Sequence, residues 1–223
     1  MILCGALHAG SQMTVCVGVA GGNNFSNTFG AFRDKYNETN SDDLKNNMGG
    51  MAFYEGLDVE LDYRIMGLSC GLTRSYMHAG TSSKFNNGAK RLVDATYKLT
   101  NIFIGAGIDM GERTELRIEV GMVHSVSSLY SKVKLPTGEM DYSAGGASHE
   151  STHVNLGLCG RLLLTRKLGE RFSCYGAVVY DRLMADNTDI APYLDYLDTK
   201  VTHTFQGVML NVGIGYQLMA RIS

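Results

Sequence analysis

Leu57-Asp58-Val59-Glu60-Leu61-Asp62 places an aliphatic residue at every odd position and a carboxylate at every even one. Only an extended strand, whose side chains alternate between two faces, sorts such a run into an apolar side and an acidic side. A soluble barrel or sandwich buries its aliphatic stripe. Here, however, the opposite face recurs elsewhere in the chain as Gly, Ser, Asn and acids. Aliphatic residues turned to lipid around a polar lumen fit that pattern better.

Outward from this stretch the same two-residue rhythm recurs about eight times. The first strand, about 11–21, alternates Met13, Val15, Val17 and Val19 with Thr14, Cys16, Gly18 and Ala20. Others are expected at about 50–62, 65–77, 92–110, from Glu115 through Met122, 153–164, 172–183 and at the Val208–Leu218 end. The side assigned to lipid carries Val15, Val17, Leu57, Val59, Leu68, Ile104, Leu116, Ile118, Leu156, Leu158, Val212 and Ile214. In the seventh strand two sets compete for that side, and Tyr175, Ala177 and Val179 are favoured over Phe172, Cys174, Gly176 and Val178.

Short and long connections alternate. Short turns are expected at Asp62-Tyr63-Arg64, Gly111-Glu112-Arg113 and Arg166 through Arg171. Long loops of about 12 to 28 residues are expected near 35, 84, 138 and 193, the second of them around Thr81 to Lys90. An all-β, eight-stranded antiparallel up-and-down transmembrane barrel produces this asymmetry, with short periplasmic turns at one rim and four long external loops at the other. Both termini are then periplasmic and the long loops extracellular, in a bacterial outer membrane. Pairing of the first and last strands leaves no open edge in hydrocarbon.

With 223 residues, one barrel domain over 11–223 accounts for the chain. No run of about 18 apolar residues is present, so no helical span is expected, whereas a strand span needs only about 9 to 11 residues. The balance of 20 basic against 22 acidic residues carries no nucleic-acid footprint, and none is expected as a partner. Five cysteines without metal-ligand spacing read as small apolar fillers, so neither a metal nor another cofactor is expected. Residues 1–10 have the small, apolar character of a signal-peptide remnant, with Ala9 before the cut; lipidation at Cys4 is a weaker alternative.

This layout, with the Gly-x-Gly-Tyr-x-Leu ending at Gly213 to Leu218, resembles the small eight-stranded outer-membrane barrels of the OmpW, OmpX and OmpA-domain group. The resemblance covers nearly everything after Gly10, although five residues follow where the terminal aromatic usually stands. Richness in Met and Cys makes the OmpW-like kind, in a spirochaete, the nearest resemblance. It implies passage of small hydrophobic molecules through the upper barrel, in contact with outer-membrane lipid.

Charges on the inward face are Asp58, Glu60, Asp62, Asp109, Glu115 and Glu119 with Arg117 and Arg161. Paired carboxylates suit acid and base chemistry, but in a narrow barrel they read as a structural network bridged by the two arginines. The excess of acids disfavours anions. A candidate apolar lid comprises Phe25, Phe29, Phe32 and Tyr36 in one loop and Tyr193, Leu194, Tyr196 and Leu197 in another; these also suit a membrane-interface girdle or loop packing. A non-enzymatic narrow conduit is the first expectation. Surface adhesion to host or envelope proteins through the loops is the second. A lipid-modifying enzyme built on His124, Ser125 and Ser127 is the least favoured, and a soluble lipocalin-like carrier requires the faces to be inverted.

Overall fold

The computed structural model describes residues 12–24, 28–51, 53–65, 67–141, 149–184 and 206–219. Its elements are β1 (Gln12–Asn24), α1 (Thr28–Thr39), β2 (Leu44–Asn46), β3 (Phe53–Ile65), β4 (Leu68–Phe85), β5 (Lys90–Asp109), β6 (Thr114–Lys134), β7 (Met140–Asp141), β8 (His149–Lys167), β9 (Phe172–Met184) and β10 (Gln206–Met219). The long strands pair antiparallel with their neighbours in sequence, and β1 pairs with β10 to close an eight-stranded ring. Closure supplies every long strand with two partners, which the backbone requires when no water is at hand. The short strands β2 and β7 attach to β4 and β6 near their loop-side ends.

The faces follow the alternation. Leu57, Ile104, Ile118 and Ile214 are 63%, 62%, 63% and 59% exposed, while Asp58, Glu60 and Glu119 are at most 1% exposed. Val17, Val59, Leu68, Leu156, Leu158 and Val212 are exposed likewise, and Val15 and Leu116 are half-buried on the same side. An aliphatic belt therefore surrounds the barrel, and the acids are enclosed.

The seventh long strand, β9, corrects the expectation. Tyr175, Ala177 and Val179 point inward and are buried, whereas Phe172, Val178 and Tyr180 are exposed. The register decides this: Val179 stands opposite buried Arg161, and Ala177 opposite buried Asn211. Asp181 shares the parity of Val179 and is 0% exposed, so a carboxylate marks that face as inward.

Turns differ as well. Asp62, Tyr63 and Arg64 lie within β3, and the chain reverses at Gly67, where Ile65 pairs with Leu68 and a φ of +79° favours glycine. The segment around Thr81 to Lys90 is mostly strand: β4 and β5 run on to a hairpin closed at Gly88, with the Phe85 N–H on the Ala89 carbonyl at 2.8 Å. The outward face there is mostly polar and the inward face mixes Ala79, Val93 and Ala95 with Ser83, so the alternation that marks a strand weakens. Likewise β6 continues to Lys134, into the long loop expected near 138, and the long loop expected near 35 contains α1. The expected loop near 193, including Ile190 to Leu197, lies outside the described residues, as do residues 1–10.

Candidate functional site

The lumen has two storeys. On the turn side β3, β6 and β8 aim acids and arginines at one another, because their inward positions alternate with the aliphatic ones. The Arg161 guanidinium lies 2.8 Å from both carboxylate oxygens of Glu60 and donates through Nε to Glu119 at 2.5 Å. Its flat face rests on Phe103, 4.4 Å from the ring centroid. Arg117 donates to Asp62 at 2.6 Å and reaches Glu119 at 3.5 Å, and Ser69 donates to Glu119 at 2.7 Å. At the rim Arg64 donates to Glu115 at 2.6 Å and to Asp109 at 3.3 Å.

One chain of ion pairs thus runs inward from Asp109 through Arg64, Glu115, Arg117 and Glu119 to Arg161 and Glu60. Asp109 sits at its outer end with its side chain 72% exposed, a rim residue rather than a lumen one. Asp58 is outside the chain: it accepts hydrogen bonds from Ser75 at 2.5 Å and Tyr175 at 3.3 Å. A small cavity of about 50 Å³, open to solvent at the turn-side rim, is lined by Glu60, Asp62, Arg117 and Tyr175 among others.

On the loop side the lumen is lined mostly by Tyr, Met and aliphatic side chains, with Ser83, Ser125 and Ser127 buried among them. Tyr54, Met77, Tyr97, Leu99 and Val123 are fully buried there, with Tyr54 and Tyr97 edge to face at 5.0 Å. The segment after α1 adds Met48 and Met51, buried against the same cluster. Asn37 of α1 holds Met48 by two bonds: its Oδ1 accepts the Met48 N–H at 2.8 Å, and its Nδ2 donates to the Met48 carbonyl at 3.2 Å. Tyr36 is buried 3.2 Å from the Ser83 hydroxyl, with Arg91 5.7 Å from its ring centroid. Thr81 and Asn86 hydrogen-bond the backbone at Gly49 and Asp42. Residues 28–51 therefore form a cap docked on the extended β4–β5 hairpin.

Of the lid proposed from sequence, Phe29 and Phe32 lie on α1, and Tyr36 is held under the cap. Phe25, Tyr193, Leu194, Tyr196 and Leu197 lie outside the described residues. His124 is exposed outward while Ser125 and Ser127 are buried inward, so the three do not converge. Among the described residues no cluster of His, Cys, Asp or Glu has the makings of a metal site. Cys16 and Cys159 are buried and Cys70 is exposed, all as free thiols.

Sequence reasoning missed Asp181 and Asn101. Asn101 Nδ2 donates to Asp181 Oδ1 at 2.8 Å across the lumen, between the two storeys. Parity was the available signal, since a carboxylate at 181 is out of place on a lipid face.

No family model matches the chain, and no curated protein matches it. Among solved structures it is similar to the outer membrane protein OprG from Pseudomonas aeruginosa, with a TM-score of 0.59 and 14% identity, over 96% of this chain and 98% of that one. It also matches Ail of Yersinia pestis in complex with the heparin analogue sucrose octasulfate, at TM-score 0.49 and 12% identity over 94% of this chain and 99% of that one. The fold is that of the small bacterial outer-membrane β-barrels.

Proposed function

We propose that the protein resides in a bacterial outer membrane, termini and short turns in the periplasm, and admits small apolar solutes into the loop-side half of its lumen without conducting ions through. The division of the lumen supports this reading above all: an apolar chamber stands over a floor of paired charges. Met48, Met51, Met77 and Met209 fill much of the chamber. Methionine is unbranched and flexible, so a solute displaces it more cheaply than a branched side chain. Two of the four come from the cap, so withdrawal of residues 28–51 vacates space from above. The floor is bridged by Arg117 and Arg161, and an eight-stranded barrel leaves no wide bore beside them. Such a chamber suits the OmpW-like function that the sequence resemblance implies.

The test joins two measurements on barrels refolded in lipid. Planar-bilayer recording is expected to show no stable conductance, and an apolar fluorophore is expected to bind in a manner that Met77→Lys abolishes. Steady ion conductance, or fluorophore binding unchanged by Met77→Lys, contradicts the reading.

A second reading, adhesion, has one observation in its favour. Lys84, Lys90 and Lys134 stand in one cross-strand row on β4, β5 and β6, far beyond the aliphatic belt. Like charges placed side by side repel unless a polyanion answers them. Retention on immobilised heparin, lost in a triple Gln variant, would favour adhesion.

A further inference from the structure

The aliphatic belt on β4, β5 and β6 ends in cations. Outward residues on β4 read Leu68, Cys70, Leu72 and then Arg74; on β5 they read Ile108, Ala106, Ile104, Ile102, Thr100 and Lys98; on β6 they read Leu116, Ile118, Val120, Met122 and His124. Arg74, Thr100 and His124 form one cross-strand row, and Lys98 stands in the next row out, beside Tyr76 and Val126. Diagonal and lateral neighbours on one sheet face lie within roughly 5 to 8 Å of each other. Arg74, Lys98 and His124 therefore converge above Thr100, all three exposed.

From Leu116 to His124 the strand advances about 26 Å, and strand tilt reduces this to roughly the height of an apolar band. The cluster thus sits where acyl chains give way to headgroups. Its neighbours in these two rows are Val59 and Leu57 on β3 and Leu156 and Val154 on β8, none of them acidic. The nearest outward acids, Glu55 and Asp94, stand in rows farther out, and Asp94 faces His78 at 3.6 Å. Among the described residues, Arg74, Lys98 and His124 have no ion pair or side-chain hydrogen bond. Cations left unanswered against an aliphatic wall call for an anion that is itself attached to acyl chains.

We propose that Arg74, Lys98 and His124 bind the phosphorylated headgroup of a lipid in the loop-side leaflet, whose acyl chains lie on Leu72, Ile102 and Met122. The inference rests on the membrane placement above and adds a fixed anionic-lipid site on one side of the barrel. Arginine supplies a planar fork to phosphate oxygens, lysine a compact charge, and the imidazole and Thr100 hydroxyl further donors. Arg74 and Lys98 have stems long enough to bring their charged ends to headgroup level.

The test uses the refolded full chain in phosphatidylcholine nanodiscs doped with a diphosphorylated lipid A, with copies retained per barrel counted by native mass spectrometry. Wild type is expected to retain the phosphorylated lipid and not its dephosphorylated counterpart. Arg74→Gln with Lys98→Gln is expected to weaken retention about 30-fold, at roughly fivefold per cation near a surface. Lys84→Gln with Lys90→Gln, farther out, is expected to retain it as wild type does. Equal retention by wild type and the Arg74/Lys98 variant, or equal retention of the dephosphorylated lipid, overturns the site while leaving membrane placement intact. Failure of wild type to insert into pure phosphatidylcholine overturns the placement, and the site with it.

Discussion

Replacing Arg161 with Met tests the closed floor of the lumen. Arg161 is 4% exposed and supplies all the ion-pair contacts of Glu60, itself 1% exposed, among the described residues. Glu119 keeps Ser69 at 2.7 Å and Arg117 at 3.5 Å after the change, so the loss falls mainly on Glu60. Removing one partner of a buried pair costs about 3–5 kcal/mol. Loss of the guanidinium from the Phe103 face adds about 1 kcal/mol. A destabilisation of about 4–6 kcal/mol follows, roughly three to four orders of magnitude in the folding equilibrium. Urea unfolding of the barrel in lipid vesicles, followed by gel mobility, reads this directly. Adding Glu60→Gln to Arg161→Met is expected to restore about half of the loss, because the stranded charge goes with it. A loss within about 1 kcal/mol for Arg161→Met alone would refute the reasoning, since such a result means that water already solvates these acids. The floor would then be an aqueous channel.

Asp181→Asn is expected to leave stability unchanged or raise it by about 1 kcal/mol in the same unfolding assay. Asp181 is fully buried, has Asn101 as its donor and lacks a basic partner among the described residues. Asn37→Ala removes both bonds to Met48, and at about 1 kcal/mol per bond it is expected to raise the rate of proteolytic cleavage within 28–51 roughly tenfold or more without unfolding the ring. Gly56→Val is expected to prevent barrel formation, scored by loss of heat-modifiable migration, because a Cβ there overlaps the Tyr76 carbonyl oxygen.

Strand pattern was readable wherever lumen and lipid faces differ in chemistry. Asp58, Glu60 and Asp62 against Leu57, Val59 and Leu61 leave no choice of face, and the ring closure and strand order follow from alternation and turns. In β9 the lumen is itself apolar, so Ala177 and Val179 look like lipid-facing residues, and only the register and Asp181 resolve them. Beyond the belt the outward face of the β4–β5 hairpin is mostly polar while the inward face mixes Ala79, Val93 and Ala95 with Ser83 under the cap, so the pattern fades although the strands continue. Helix α1 did leave a trace: Phe25, Phe29, Phe32 and Tyr36 recur at spacings of 4, 3 and 4 residues, the period of a helix rather than of a loop. Apart from Asp181, the lumen acids were visible one by one. Which arginine meets which acid depends on contacts across the ring, such as Arg161 with Glu60, 101 residues apart, and no local pattern encodes that.

Aliphatic residues face acyl chains in this structure, and the acids are enclosed. The chain contains no Trp, so a single introduced Trp reports alone. Fluorescence of Ile104→Trp and Val212→Trp in vesicles of brominated phosphatidylcholine, compared with the inward substitution Tyr97→Trp, measures the orientation directly. Strong quenching is expected at 104 and 212 and little at 97; strong quenching at 97 with none at 104 and 212 would mean that the two faces are inverted.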